Sequence, residues 1–180
     1  MGLNNTPLSE RIHIGIFGRR NAGKSSVINA MTGQNLAIVS DVAGTTTDPV
    51  QKAMELLPLG PVVMIDTPGL DDVGELGKLR VEKAYQVLQK TDIAIIVIDA
   101  SIGETAEDAA ILAEIQKRSI PYIIVKNKAD LTQKQDGENE IFVSAKTGEN
   151  ISVLKERIAA LAPKGEKEHR IIGDLLEQND

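Results

Sequence analysis

Gly18-Arg19-Arg20-Asn21-Ala22-Gly23-Lys24-Ser25 fits the pattern G-x-x-x-x-G-K-[ST] and decides how the rest of the chain is read. Before it, Ile12-His13-Ile14-Gly15-Ile16-Phe17 alternates as a strand does. After it, Ser26-Val27-Ile28-Asn29-Ala30-Met31 reads as the first turns of a helix. Strand, glycine-rich loop and helix in that order form a cradle for phosphate. Glycines let backbone N–H groups converge on the oxygens, and the helix N-terminus adds its dipole. Lys24 is placed to neutralise the outer phosphates of a nucleotide, and the Ser25 hydroxyl to bind Mg2+. Arg20, Asn21, Ala22, Gly23 and Ser26 complete the loop expected around the phosphates.

Two further loops follow apolar strands. Asp66-Thr67-Pro68-Gly69 follows Val62-Val63-Met64-Ile65; Asp66 is placed to hold Mg2+ through water, and the Gly69 N–H to sense the terminal phosphate. Ile123-Ile124-Val125-Lys126-Asn127-Lys128-Ala129-Asp130 ends in N-K-x-D, and Ile141-Phe142-Val143 runs into Ser144-Ala145-Lys146. Gly44-Thr45-Thr46-Thr47-Asp48 lies between the first helix and the second strand, where a threonine closing onto the metal is expected. Three threonines in a row leave that residue ambiguous.

The alternation predicts strands near Ile12–Gly18, Val50–Leu57, Val62–Asp66, Ile93–Asp99, Tyr122–Asn127 and Ile141–Ser144. Helices are predicted near Lys24–Thr32, Leu76–Lys90, Ala106–Arg118 and Ser152–Leu161. Such a pattern implies an α/β fold: a six-stranded, mostly parallel sheet with helices on both faces and ligands at the strands' carboxyl ends. The two strands around Pro58-Leu59-Gly60-Pro61 read as a hairpin giving one antiparallel edge. Residues 1–10 are expected to be disordered, 11–162 to form one nucleotide-binding domain, and 163–180 to be a linker entering a following domain that is absent.

Composition agrees. Hydrophobic residues make up 42% of the 180 and aromatic ones 2%, so the core must be aliphatic, as parallel sheets are. A net charge of −6 gives no footprint for nucleic acid. Without cysteine there is no disulfide framework and no cysteine-ligated iron–sulfur cluster in this chain. No apolar run approaches the roughly 18 residues of a membrane span, so a cytoplasmic protein without membrane contact is expected.

These motifs resemble those of the Ras-like P-loop NTPases, in particular the translation-factor-related GTPases of the MnmE/TrmE-like group. Gly18–Asn29, Ala37–Pro49 and Lys52–Ala84, above all Lys52-Ala53-Met54-Glu55-Leu56-Leu57-Pro58-Leu59-Gly60-Pro61-Val62-Val63, resemble the GTPase domains of the HydF family of iron–iron hydrogenase maturation GTPases. The resemblance covers about residues 8 to 176. It implies GTP/GDP and Mg2+ as ligands. Asp130 would accept from the guanine N1–H and amino group, Asn127 support the base loop, the Lys128 stem cover the ring, and the Ser144-Ala145-Lys146 backbone touch the guanine oxygen. Adenine would leave the aspartate unpaired, and such discrimination is steep. Among the threonines, Thr46 matches the metal-binding position.

The resemblance also implies potassium. Many GTPases orient the attacking water with a glutamine after the D-x-x-G glycine, and an arginine finger adds roughly 10³ to 10⁵ in rate, about 4 to 7 kcal/mol. Here that position is Leu70. In the MnmE-like group K+ stands where the finger's charge would be, in a transient dimer of GTPase domains. Asn21 matches its P-loop ligand, and Ser40, Val42 and Thr45 fall in the matching loop; on a plainer reading Asn21 only caps the loop. The catalytic set expected is Asn21, Lys24, Thr46, Gly69 and Glu75, the last a water-orienting carboxylate or an ordinary solvated acid. Arg20 replaces a proline common in that group, either adding charge near the phosphates or facing solvent. The expected partners are GTP, the protein's own absent dimerisation and iron–sulfur cluster domains, and hydrogenase and its maturation proteins. The alternatives are a GTPase of tRNA modification or ribosome assembly, and a nucleotide-gated interaction module with very slow hydrolysis.

Overall fold

In a computed structural model the described residues are 11–18, 22–33, 50–66, 75–128 and 137–162, with 50 and 75–80 described by backbone alone. The elements are β1 (Ile12–Gly18), α1 (Lys24–Thr32), β2 (Val50–Leu56), β3 (Gly60–Asp66), α2 (Glu75–Leu88), β4 (Ile93–Asp99), α3 (Ala106–Lys117), β5 (Tyr122–Asn127), β6 (Glu140–Phe142) and α4 (Ile151–Leu161). They form one six-stranded sheet ordered β2-β3-β1-β4-β5-β6. Every pairing is parallel except the β2–β3 hairpin, which gives the expected antiparallel edge.

Strand pleating divides the core into two layers. On β4, Ile93, Ile95 and Val97 join one cluster, while Ala94, Ile96 and Ile98 join the other. Successive strand side chains point to opposite faces, so a strand buried on both sides must be apolar throughout. The first layer packs against α1 through Val27, Ile28 and Met31 and against α4 through Ile151, Leu154 and Ile158. The second packs against α2 through Ala84, Val87 and Leu88 and against α3 through Ile111 and Ile115. The helices thus lie on both faces, two to each.

Several boundaries differ from the sequence reading by one or two residues, and three of these shifts have a clear physical reason. β3 begins at Gly60 rather than Val62, because the hairpin ladder continues through Glu55↔Pro61 and Leu56↔Gly60 on the side facing β2. Pro61 is tolerated there because pairing with β1 starts only at Val62. β6 ends at Phe142 rather than Ser144; the Val143 N–H still reaches the Lys126 carbonyl at 2.9 Å, but Ser144 turns away to bridge Glu149. α2 stops at Leu88, where Lys90 and Thr91 close tight turns onto Val87 and Leu88. Among the described residues no helix is long and apolar enough to cross a membrane.

Candidate guanine nucleotide site

The carboxyl ends of β1, β3, β4 and β5 bring four chemically distinct groups to one edge of the sheet. β1 runs into the phosphate loop at Gly18, whose backbone has φ of 144°, and a Cβ there would stand 2.5 Å from the Val97 carbonyl oxygen. Only glycine can pass so close to β4. Gly23 precedes α1 in the left-handed conformation, φ 85°, and lacks a side chain with which to cap the helix. The start of α1 thus carries no side-chain cap, an arrangement compatible with an anion there.

Lys24 and Asp66 meet here. Lys24 is 3% exposed, and its Nζ lies 2.8 Å from Asp66 Oδ1. That oxygen is buried and, among the described residues, has no hydrogen-bond partner beyond this ion-pair contact. A buried carboxylate oxygen with spare acceptor capacity, beside the phosphate lysine and near the start of α1, fits a metal-bound water. Ser25 and Asp66 are the described residues that would hold Mg2+, which when bound offsets the charge of the outer phosphates. Ser25 is half-buried, and Ser26, next along α1, is exposed.

The base side of the site is organised by Asn127. It is 4% exposed, and its Nδ2 donates to the Ala22 carbonyl at 3.0 Å while its Oδ1 accepts from the Ala145 N–H at 3.0 Å. One side chain thus ties the phosphate loop to the turn after β6. The same amide excludes a side chain at Gly23, where a Cβ would lie 2.3 Å from Nδ2. A cleft of about 430 Å³ opens alongside, lined by Gly23, Ser26, Asn127, Lys128, Ser144, Ala145 and Lys146. Ser144 is fully buried and its Oγ accepts from the Thr147 N–H at 3.2 Å, which shapes the turn; Lys146 is exposed at its rim. The Ala145 amide serves Asn127, so that amide is already engaged within the protein.

Asp99, at the end of β4, was not among the residues the sequence singled out. Its Oδ2 lies 2.7 Å from Lys128 Nζ, and its Oδ1 accepts from the Ser101 N–H at 2.9 Å and the Ser101 hydroxyl at 2.5 Å. Burial raises its pKa, but the hydrogen bonds from Lys128 and Ser101 prevail and hold the carboxyl below its usual range. A signal existed: a single acid ends the wholly apolar run Ile93–Ile98, on the strand beside the one carrying Asn127.

Of the other expected site residues, Arg20, Asn21, Ser40, Val42, Thr45, Thr46, Gly69 and Asp130 lie outside the described residues, as do 1–10 and 163–180. Glu75 is the first residue of α2. His13 lies at the opposite end of β1, its N–H bonded to Asp92 Oδ2 at 2.8 Å, a structural position.

Comparison with known proteins identifies the family. The family described as "50S ribosome-binding GTPase" matches residues 13–128. A tRNA modification GTPase MnmE of Laribacter hongkongensis is 36% identical over 169 residues, covering 89% of this chain and 37% of that protein. The MnmE of Chromobacterium violaceum is 35% identical over 158 residues, 84% of this chain and 35% of that one. The chain therefore spans a little over a third of these relatives' length, as the 37% and 35% figures show. Among solved structures, Era of Aquifex aeolicus bound to GDP and aluminium fluoride superposes with a TM-score of 0.68 at 28% identity, over 84% of this chain and 56% of that one. A probable GTP-binding protein EngB, at 24% identity and a TM-score of 0.64 over 83% of this chain and 97% of that one, shares the fold. The family match over residues 13–128 shows that the chain belongs to the 50S ribosome-binding GTPase family, among relatives named MnmE, and is a GTP-hydrolysing domain of a family that uses Mg2+.

Proposed function

We propose that this domain is the potassium-stimulated GTP switch of a longer protein. The observation that carries the potassium reading is Leu70, an aliphatic residue directly after Gly69 that can neither orient water nor offset charge. The missing charge is supplied in this reading by K+ held by Asn21 and by Ser40, Val42 and Thr45, with Thr46 closing on Mg2+. Glu75 or Arg20 is the next group to consider if the cation is not used. The two lobes of such a catalytic unit come from a transient dimer of GTPase domains.

The test is GTP turnover in potassium against sodium chloride at equal ionic strength, at concentrations that permit dimerisation. Turnover severalfold or more higher in potassium is expected, with the difference erased in Asn21→Ala, while Asn21→Asp, which keeps an oxygen ligand, should move cation affinity and catalysis separately. Equal rates in the two salts overturn the potassium mechanism. Negligible turnover in both favours a module that signals by GTP binding alone.

What the longer protein does has two readings. The relatives' names favour tRNA modification. In that case, the acidic balance of −6 implies that RNA contact falls to parts of the protein outside this domain. The resemblance of Lys52–Val63 to the HydF family favours hydrogenase maturation, with the switch acting on cluster-bearing domains of its own protein. That stretch forms the β2–β3 hairpin at the sheet edge, away from the nucleotide cleft, where nucleotide binding sets no sequence requirement. Lys24→Ala in the longer protein separates them: loss of modified nucleosides in bulk tRNA supports the first, and loss of hydrogenase activity supports the second.

A further inference from the structure

We infer that Asp99 is a positioning residue for guanine, acting through Lys128 rather than by touching the nucleotide. The inference rests on the guanine reading of the cleft. Asp99 is 7% exposed, and its two carboxylate oxygens are committed to different partners, Oδ2 to Lys128 Nζ and Oδ1 to Ser101. A carboxylate held on both sides cannot rotate to follow the lysine. Its own backbone is fixed as well: the Asp99 carbonyl accepts from the Ile102 and Gly103 amides at 3.1 and 2.8 Å. The residue is also paired in register with Asn127, whose carbonyl accepts from the Ala100 N–H at 2.8 Å. The anchor therefore belongs to the same rigid frame as the asparagine that joins the phosphate and base loops.

Lys128 needs such an anchor. It leaves β5 in the left-handed region, φ 66°, and its side chain lines the cleft with 37% of its surface exposed. A lysine stem has four carbons and wide rotamer freedom, and an untethered one would spend most of its time in solvent. Tethering the ammonium to the end of β4 leaves the methylenes as a preformed apolar wall for a flat base. The entropy of ordering that wall is met during folding and not on binding, which raises affinity without a new contact to the ligand.

This assignment predicts a separation that a merely structural aspartate would not give. Asp99→Asn should raise the Kd for GDP and the KM for GTP by roughly fivefold to twentyfold, the loss of one charge-assisted tether, while kcat at saturating GTP stays within twofold. Lys128→Met keeps most of the stem and removes the ammonium. Because Asp99 acts only through that ammonium, Asp99→Asn/Lys128→Met should bind GDP as Lys128→Met does, within twofold. GDP titration calorimetry on the four proteins reads both effects, and thermal melting records stability. A lowered melting midpoint with unchanged GDP affinity in Asp99→Asn overturns the inference. If Asp99→Asn does not fold, the comparison of Lys128→Met with the double variant decides alone, and a further affinity loss in the double variant overturns it. A wild-type domain binding ADP as tightly as GDP would refute the guanine reading, and the role of Asp99 with it.

Discussion

Asn127 and Ala22 are 105 residues apart in sequence and joined by one hydrogen bond, Nδ2 to carbonyl oxygen at 3.0 Å. Through it the loop that reads the base and the loop that holds the phosphates share one side chain, whose other end takes the Ala145 N–H. Asn127 thus joins the segment before α1 to the turn after β6. Asn127→Ala should strand the Ala22 carbonyl and the Ala145 amide in a buried place. We expect a stability loss of about 1–3 kcal/mol and at least a tenfold weaker GDP affinity, read by urea unfolding and nucleotide titration. Unchanged affinity would show that the two loops hold themselves.

Gly23→Ala tests the same joint from the other side. The added methyl meets Asn127 Nδ2 at 2.3 Å, and the left-handed backbone disfavours any side chain. The asparagine must shift, so nucleotide affinity should fall by an order of magnitude or more, while unfolding free energy falls by about 1–3 kcal/mol. Crystallographic or amide-exchange data should place the disturbance at Ala22 and Ala145.

Lys24→Ala removes the phosphate cation and leaves the Asp66 carboxylate, 2.8 Å away, buried without its counter-charge. Hydrolysis should be abolished. The circular dichroism spectrum should be kept, with stability lower by roughly 1–3 kcal/mol because a largely buried carboxylate loses its counter-charge. Lys24→Ala/Asp66→Asn should recover part of that stability and none of the activity.

The Asp99 carboxyl titrates below its usual range, so it binds protons less readily folded than unfolded. Its contribution is therefore complete above the ordinary carboxylate value, about 3.9, and is lost as pH falls through the lower folded value. Urea midpoints of wild type and Asp99→Asn should differ by a constant amount from pH 7 to pH 5 and converge in stronger acid. A gap that widens in acid contradicts the assignment.

Much of the fold is legible because its punctuation is local. β1, α1, β4 and β5 have the bounds the sequence predicts, since each begins or ends at a glycine, a polar motif or a sharp change of periodicity. β3 starts earlier than expected because Gly60-Pro61 reads as a stop, whereas pairing to a single neighbour makes the proline harmless. In the site, residue types and spacing announce Lys24, Asp66 and Asn127, because the chemistry of phosphate, metal and base demands them. The link from Asn127 to Ala22 and the grip of Asp99 on Lys128 arise only when β1, β4 and β5 stand side by side, a relation no local pattern encodes.

Base choice is the central claim, assigned on the sequence to Asn127, Lys128 and Asp130. The decisive measurement is kcat/KM for GTP, ATP and xanthosine triphosphate on the wild type and on Asp130→Asn. The wild type should prefer GTP to both others by at least about a hundredfold, the scale set by leaving a buried polar group unpaired. Asp130→Asn should reverse the order in favour of xanthosine triphosphate, since its amide donates to the added carbonyl. An unaltered preference for GTP in that variant would contradict the account.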